Sequence, residues 1–214
     1  MKKVLALLFI FAALPVMDND SSGLSAQDSL ERLKQGNGRF VEMHMKHPDT
    51  TKKHRTELVS GQHPFAVILS CSDSRVPPEF IFDQGLGDIF DVRNAGNVLN
   101  KHVIGSIEYA VMHLGVKLIV IMGHQDCGAV AAALSDETES EYIESLKASI
   151  MPAVKACKKS GNYTNNDVSK AHVIQDIQEL LSEDSALKEY MQKHDVQIIP
   201  AFYHMDSGEV EFLR

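Results

Sequence analysis

The 214 residues contain no tryptophan and only three cysteines, Cys71, Cys127 and Cys157. An odd number of cysteines at long separations excludes a disulfide framework. Positive charge is also scarce. There are 21 Lys and Arg against 29 Asp and Glu, giving a formal net charge of −8. With no Lys/Arg stripe, a nucleic-acid surface is excluded. The stretch from Gly85 to Gly96 lacks the G-x-G-x-x-G spacing, so dinucleotide binding has no support. No internal repeat or linker is present. The chain that remains is 44% hydrophobic and 23% charged. That composition suits one globular α/β or α+β domain with a real core.

The first residues read as a targeting signal. Lys2 and Lys3 form a positive start, and Val4 to Val16 is an apolar run too short for a spanning helix. Small and polar residues follow from Asp18 to Ser25. The pattern predicts a secretory signal peptide over 1–26 and a single domain over 27–214. Small residues offer more than one cleavage point, at Ser21/Gly23 or Gly23/Ser25. Removing 1–26 takes away two lysines and two aspartates and leaves the charge at −8. The protein is therefore expected to be exported, to the periplasm, with no membrane attachment after cleavage. No cysteine follows the apolar run, so a lipoprotein anchor is not indicated. In an oxidising compartment the two thiols at Cys71 and Cys127 would need protection.

Along the chain, apolar spacing predicts a helix over Ser29 to Met45, weakened by Gly36 and Gly38. A short polar helix follows, ending at Gly61. Phe65 to Ser70 is a continuous apolar run that fits a strand buried on both faces, as in parallel sheets. Asp88 to Val92 and Lys117 to Met122 read as further strands. Asn100 caps a helix over Lys101 to Leu114, with Gly115 as its stop. Gly128 to Leu134 forms a helix starting at Cys127. Two long helices are expected over Glu141 to Lys159 and Val168 to His194, with Pro152 kinking or starting one of them. Val196 to Tyr203 is a strand, turned by Ser207-Gly208 into a hairpin or edge strand over Glu209 to Leu213.

The chemistry concentrates in Cys71-Ser72-Asp73-Ser74-Arg75 and His124-Gln125-Asp126-Cys127. Cys71, His124 and Cys127 supply two thiolates and one imidazole. Closed structural zinc sites use four protein ligands, whereas catalytic sites use three and leave one position open. Both groups fall at expected carboxyl ends of buried strands, where α/β sheets keep their sites. Asp73 and Arg75, so close to the first thiolate, suit a pair that governs the open position. The residues alone also admit a metal-binding or thiol-redox protein without turnover.

Several segments together resemble the β-class carbonic anhydrases of plant-like type. They are Cys71 to Arg75, the following Val-Pro-Pro-Glu, Val92-Arg93-Asn94-Ala95-Gly96-Asn97, Gly105-Ser106-Ile107-Glu108-Tyr109-Ala110 and Gly123-His124-x-x-Cys127-Gly128. The resemblance covers Leu30 to the C-terminus and is densest from Gln62 to Ala133. It implies a central, mostly parallel β-sheet flanked by helices, and reversible hydration of CO2 to bicarbonate and a proton. It implies one Zn2+ per chain on Cys71, His124 and Cys127, with zinc-bound hydroxide as the nucleophile. Arg75 would hold Asp73, and Asp73, once released, would become a conditional fourth ligand. Gln62, Phe90 and Tyr109 would line the CO2 pocket, partly from a neighbouring subunit, with Gly96 in a tight turn nearby. A homodimer or homotetramer is implied. A hydrolase of a CO2 analogue such as carbon disulfide is the alternative on the same scaffold. The effector site built on tryptophan in one branch of the family cannot exist in that form here. Cys157, His113 and His172 read as packing or solvated positions, and His102 as a candidate proton relay.

Overall fold

The computed structural model describes residues 23–161 and 163–213. Residues 1–22, where most of the expected signal peptide falls, lie outside the described residues.

The architecture is an α/β fold around a five-stranded sheet in the order β2-β1-β3-β4-β5. The strands are β1 (Ala66–Cys71), β2 (Ile89–Asn94), β3 (Leu118–His124), β4 (Gln197–Tyr203) and β5 (Val210–Phe212). The first four run parallel, and β5 pairs antiparallel with β4 at one edge. β1 and β3 are buried at every position, which is why their sequences run apolar without alternation.

Helices cover both faces. On one side α1 (Ala26–Val41) and α3 (Pro78–Ile81) pack against Ala66, Ile68, Val120 and Met122. On the other, α4 (Lys101–Met112), α7 (Asn165–Glu183) and α8 (Ser185–His194) cover Val67, Leu69, Ile119 and Ile121. The period of two along each strand divides its side chains between these cores. A third cluster joins Cys71 and Cys127 to Val98, Ile150, Val154 and Val168, under α5 (Gly128–Leu134) and α6 (Glu141–Ser160). The carboxyl end of the sheet therefore sits on its own packed base. α2 (Lys52–Glu57) is short and surface-bound. Among the described residues no helix is long and apolar enough to cross a membrane.

Four sequence expectations are corrected. α1 starts at Ala26 because the Ser25 side chain accepts from Asp28 N, and it ends at Val41 rather than Met45. Gly36 does not weaken this helix, because a Cβ there would fall on the Phe82 carbonyl. The close approach of α1 to α3 requires glycine. α6 continues through Pro152 as one helix, so the proline does not start a helix there. Ala148, whose carbonyl loses its partner there, is exposed, and water can satisfy it, while Ile150, Ala153 and Val154 are buried and hold the helix down. The long helix expected to His194 breaks at Asp184, whose Oδ1 accepts from Leu187 N at 2.8 Å and caps α8.

Candidate metal centre

Cys71 is the last residue of β1, and His124 is the last residue of β3. These are neighbouring parallel strands, so their carboxyl ends lie side by side. The chain then turns through Asp126, at φ 52°, into Cys127, the N-cap of α5. One ligating atom from each of Cys71, His124 and Cys127 lies within 4.8 Å of the others, and all three residues are buried.

These donors fit a metal ion for two reasons. His124 Nδ1 lies 2.9 Å from the Gln125 carbonyl. A hydrogen bond there puts the proton on Nδ1 and leaves Nε2 with its lone pair. That Nε2 is buried and has no hydrogen-bond partner among the described residues. The Cys71 and Cys127 thiols hydrogen-bond to each other. The contact with Cys127 is the main cause that holds Cys71 below the usual thiol range against its burial, with His124 and the Gly96 N–H adding to it. The hydrogen bond to Cys71, then burial, pushes Cys127 far up. Two buried sulfurs side by side cannot both lose their protons without a cation between them. A thiophilic divalent ion supplies that cation, and Cys, His and Cys are zinc's preferred donors.

The surrounding loops are clamped through their backbones. Arg93 reaches across from β2, donating to Cys71 O at 3.0 and 3.1 Å and to Asp73 O at 2.7 Å. Gly96 N donates to Cys71 Sγ at 3.2 Å. Gly96 has φ 71°, and a Cβ there would lie 2.8 Å from the Ala129 Cβ. Conformation and space both demand glycine at this turn.

Sequence reasoning missed a stripe on α7. Asn165 Oδ1 accepts from Cys127 N at 3.1 Å, while its Nδ2 donates to Cys127 O. Asn166 Oδ1 accepts from Asp126 N at 3.0 Å, and Ser169 Oγ donates to His124 O at 3.2 Å. His172 Nε2 meets Gly96 O at 3.0 Å. These residues recur at helical spacing, a signal that was present in the sequence as a polar face. His172, expected to be explained by packing or solvent, is buried and engaged on the turn beside Cys71.

Asp73 and Arg75 sit at the rim. Arg75 Nε and its own backbone N–H both donate to Asp73 Oδ1 at 2.9 Å, and Nη2 donates to Oδ2 at 2.7 Å. Asp73 lies with Arg75 in this state and outside the three-donor group.

Gln62, Phe90 and Tyr109 come together elsewhere. Gln62 and Tyr109 line one groove with Leu58, Val59 and Leu114. The rings of Phe90 and Tyr109 are 6.2 Å apart. Phe90 pairs with Val67, four residues before Cys71, or about 13 Å along the strand. Within one chain these residues are not beside the metal donors. His102 is exposed in the first turn of α4.

The family model for carbonic anhydrase matches residues 66–210. This chain belongs to the β-carbonic anhydrase family. It is 41% identical over 180 residues to carbonic anhydrase 2 of Mycobacterium tuberculosis, covering 82% of this chain and 87% of that protein. It is 40% identical over 183 residues to a carbonic anhydrase of Mycolicibacterium smegmatis, covering 84% and 89%. Among solved structures, a tetrameric β-carbonic anhydrase of Sordaria macrospora superposes with a TM-score of 0.69 at 27% identity, covering 76% of this chain and 87% of that one. The β-carbonic anhydrase CafA of Aspergillus fumigatus gives a TM-score of 0.69 at 28% identity, covering 87% and 89%. The expected enzyme class and fold are thereby borne out. The chain is a carbonic anhydrase, a lyase acting on CO2.

Proposed function

We propose that this carbonic anhydrase works through one zinc ion per chain held by Cys71, His124 and Cys127. The orphaned lone pair of His124 Nε2, buried beside two sulfurs that need a cation, is the observation that carries this reading. When bound, zinc supplies a Lewis acid that makes water a nucleophile near neutral pH. The protein supplies the rest. Asp73, charged and fixed by Arg75, accepts a hydrogen bond from the nucleophile and fixes its direction. Arg75 holds that carboxylate in its own fork, and its release would free Asp73 to act as a further donor to the ion. The Gly96 N–H, Asn165, Asn166 and Ser169 hold the donors still.

CO2 is small and apolar and needs an apolar wall with one polar contact. Gln62, Phe90 and Tyr109 supply such a wall. Their separation from Cys71 in the same chain supports a site completed by a second copy, hence a dimer or a pair of dimers. Tyr109 is 47% exposed on the single chain, which such a contact would cover. Export to the periplasm rests on the lysine-led apolar run near the N-terminus. N-terminal sequencing of the secreted protein tests it. A mature end at or before Ser25 would keep the cap of α1, which a cut after Ala26 would remove.

Metal analysis tests the zinc reading. One zinc per chain in the wild type, and none in Cys71→Ser, is the expected result. A fully folded protein that takes up no zinc would overturn it.

A further inference from the structure

The polar stripe of α7 continues to a buried pair that the chemistry above does not use. His172 and Asp176 lie one helical turn apart, and each is 1% exposed. His172 Nδ1 is 3.5 Å from Asp176 Oδ1, and neither atom has a hydrogen-bond partner among the described residues. The other end of each side chain is engaged on one short turn. His172 Nε2 lies 3.0 Å from the Gly96 carbonyl, and Asn97 Nδ2 donates to Asp176 Oδ2 at 2.9 Å.

That turn has a demanding backbone. Gly96 has φ 71° and Asn97 has φ 47°. Two successive left-handed residues are rare, and a non-glycine residue persists there only when its surroundings hold it. Here the surroundings are His172 on one residue and Asp176 on the next. The product is the direction of the Gly96 N–H, which donates to Cys71 Sγ at 3.2 Å. Hydrogen bonds to a ligating sulfur tune how much charge it gives the metal.

We infer that His172 and Asp176 are positioning residues for the metal centre, locking the Gly96–Asn97 turn so that its N–H stays on the Cys71 sulfur. The inference rests on Cys71 being a metal ligand. A buried polar pair with a purely architectural role would affect stability alone, so the test reads the metal directly.

The variants are His172→Ala, His172→Gln and Asp176→Ala in the full chain, with Val173→Ala as a packing control on the same helix. The readouts are the Zn2+ dissociation constant by chelator competition, the sulfur-to-cobalt absorption band of the Co2+-loaded protein, and Tm. His172→Ala is expected to weaken zinc binding on the order of tenfold to a hundredfold and to move the cobalt band. His172→Gln, whose amide N–H reaches toward the same carbonyl, recovers most of both. Val173→Ala lowers Tm and leaves both unchanged. Should His172→Ala not fold, Asp176→Ala, which removes the acceptor of the Asn97 amide, carries the test through the same band. Wild-type zinc affinity and an unmoved band in the folded His172 and Asp176 variants would overturn the inference and leave the zinc site standing. Metal uptake that survives Cys71→Ser would overturn both.

Discussion

Arg75 grips Asp73 from two directions, with its guanidinium fork on both carboxylate oxygens and its own backbone N–H on Oδ1. The side chain of Arg75 remains 58% exposed, while that of Asp73 is 17% exposed. The pair therefore presents a fixed carboxylate at a solvent-facing rim. These bonds hold the Asp73 carboxyl well below the usual range. A depressed carboxyl is charged and bound above its unfolded pKa of about 3.9 and is lost only as pH falls through the lower folded value. Asp73 is thus a constant acceptor throughout neutral pH.

Replacing Arg75 releases that carboxylate. Arg75→Ala is expected to lower CO2 hydration about tenfold to a hundredfold, while zinc content stays at the wild-type level. Arg75→Lys restores only part of the loss, because an ammonium cannot make the forked contact. Hydration assays on both variants with metal analysis check this. Equal activity of Arg75→Ala and wild type would remove Arg75 from the account.

Gly36 gives a test of the fold away from the site. Alanine improves a helix interior by about 1 kcal/mol, yet here its Cβ would fall on the Phe82 carbonyl and lie 2.8 Å from Gln84 Nε2. Overpacking of this kind costs about 1–3 kcal/mol, so the clash wins. Urea unfolding of Gly36→Ala should show a lower midpoint than wild type. A higher midpoint would mean that α1 does not dock as described.

Asp91 gives a pH dependence of stability. Burial, then the nearby Glu79, pushes its carboxyl up to about 7, with Arg93 opposing, and its Oδ1 has no hydrogen-bond partner among the described residues. The folded state therefore holds a proton that the unfolded state releases near pH 4, and stability falls as pH rises from about 4 to about 7. Asp91→Asn removes this loss. After discounting for partial exposure, the variant should be more stable than wild type on the order of 1 kcal/mol at about pH 8, with little difference at about pH 4. Unfolding midpoints at the two pH values decide it. A gain at the lower pH alone would contradict the sign.

The separation of Gln62, Phe90 and Tyr109 from Cys71 predicts complementation between chains. Cys71→Ser lacks a metal donor, and Gln62→Ala lacks the polar wall. In a dimer of the two, one site combines the intact donors with the intact wall. Coexpression should therefore restore about a quarter of wild-type sites, since random pairing makes half the dimers mixed. No recovery above the summed activities of the parents would place Gln62 in its own chain's site or outside the chemistry.

Much of the fold was legible because β1 and β3 carry long apolar runs, are buried at every position and end on Cys71 and His124. α5 and the Asn100 cap followed from local rules alone. Other features depended on distant partners. Gly36 looked like a helix weakness because the Phe82 carbonyl against it is far along the chain. Pro152 looked like a break because the sequence did not show that Ala148 faces water. The α7 residues were overlooked because each binds the backbone of a remote loop, which leaves no apolar period. The distance between Phe90 and Cys71 depends on strand register, which periodicity does not encode.

The most direct test of the central claim is CO2 hydration by stopped flow on the zinc-loaded protein, from mildly acidic to alkaline pH, beside Cys71→Ser and Asp73→Asn. In the proposed site two thiolates would place more negative charge on zinc than imidazoles would, so activity should rise with pH. It should vanish in Cys71→Ser and drop sharply in Asp73→Asn. One tightly held zinc per chain with no hydration at any pH would contradict the account.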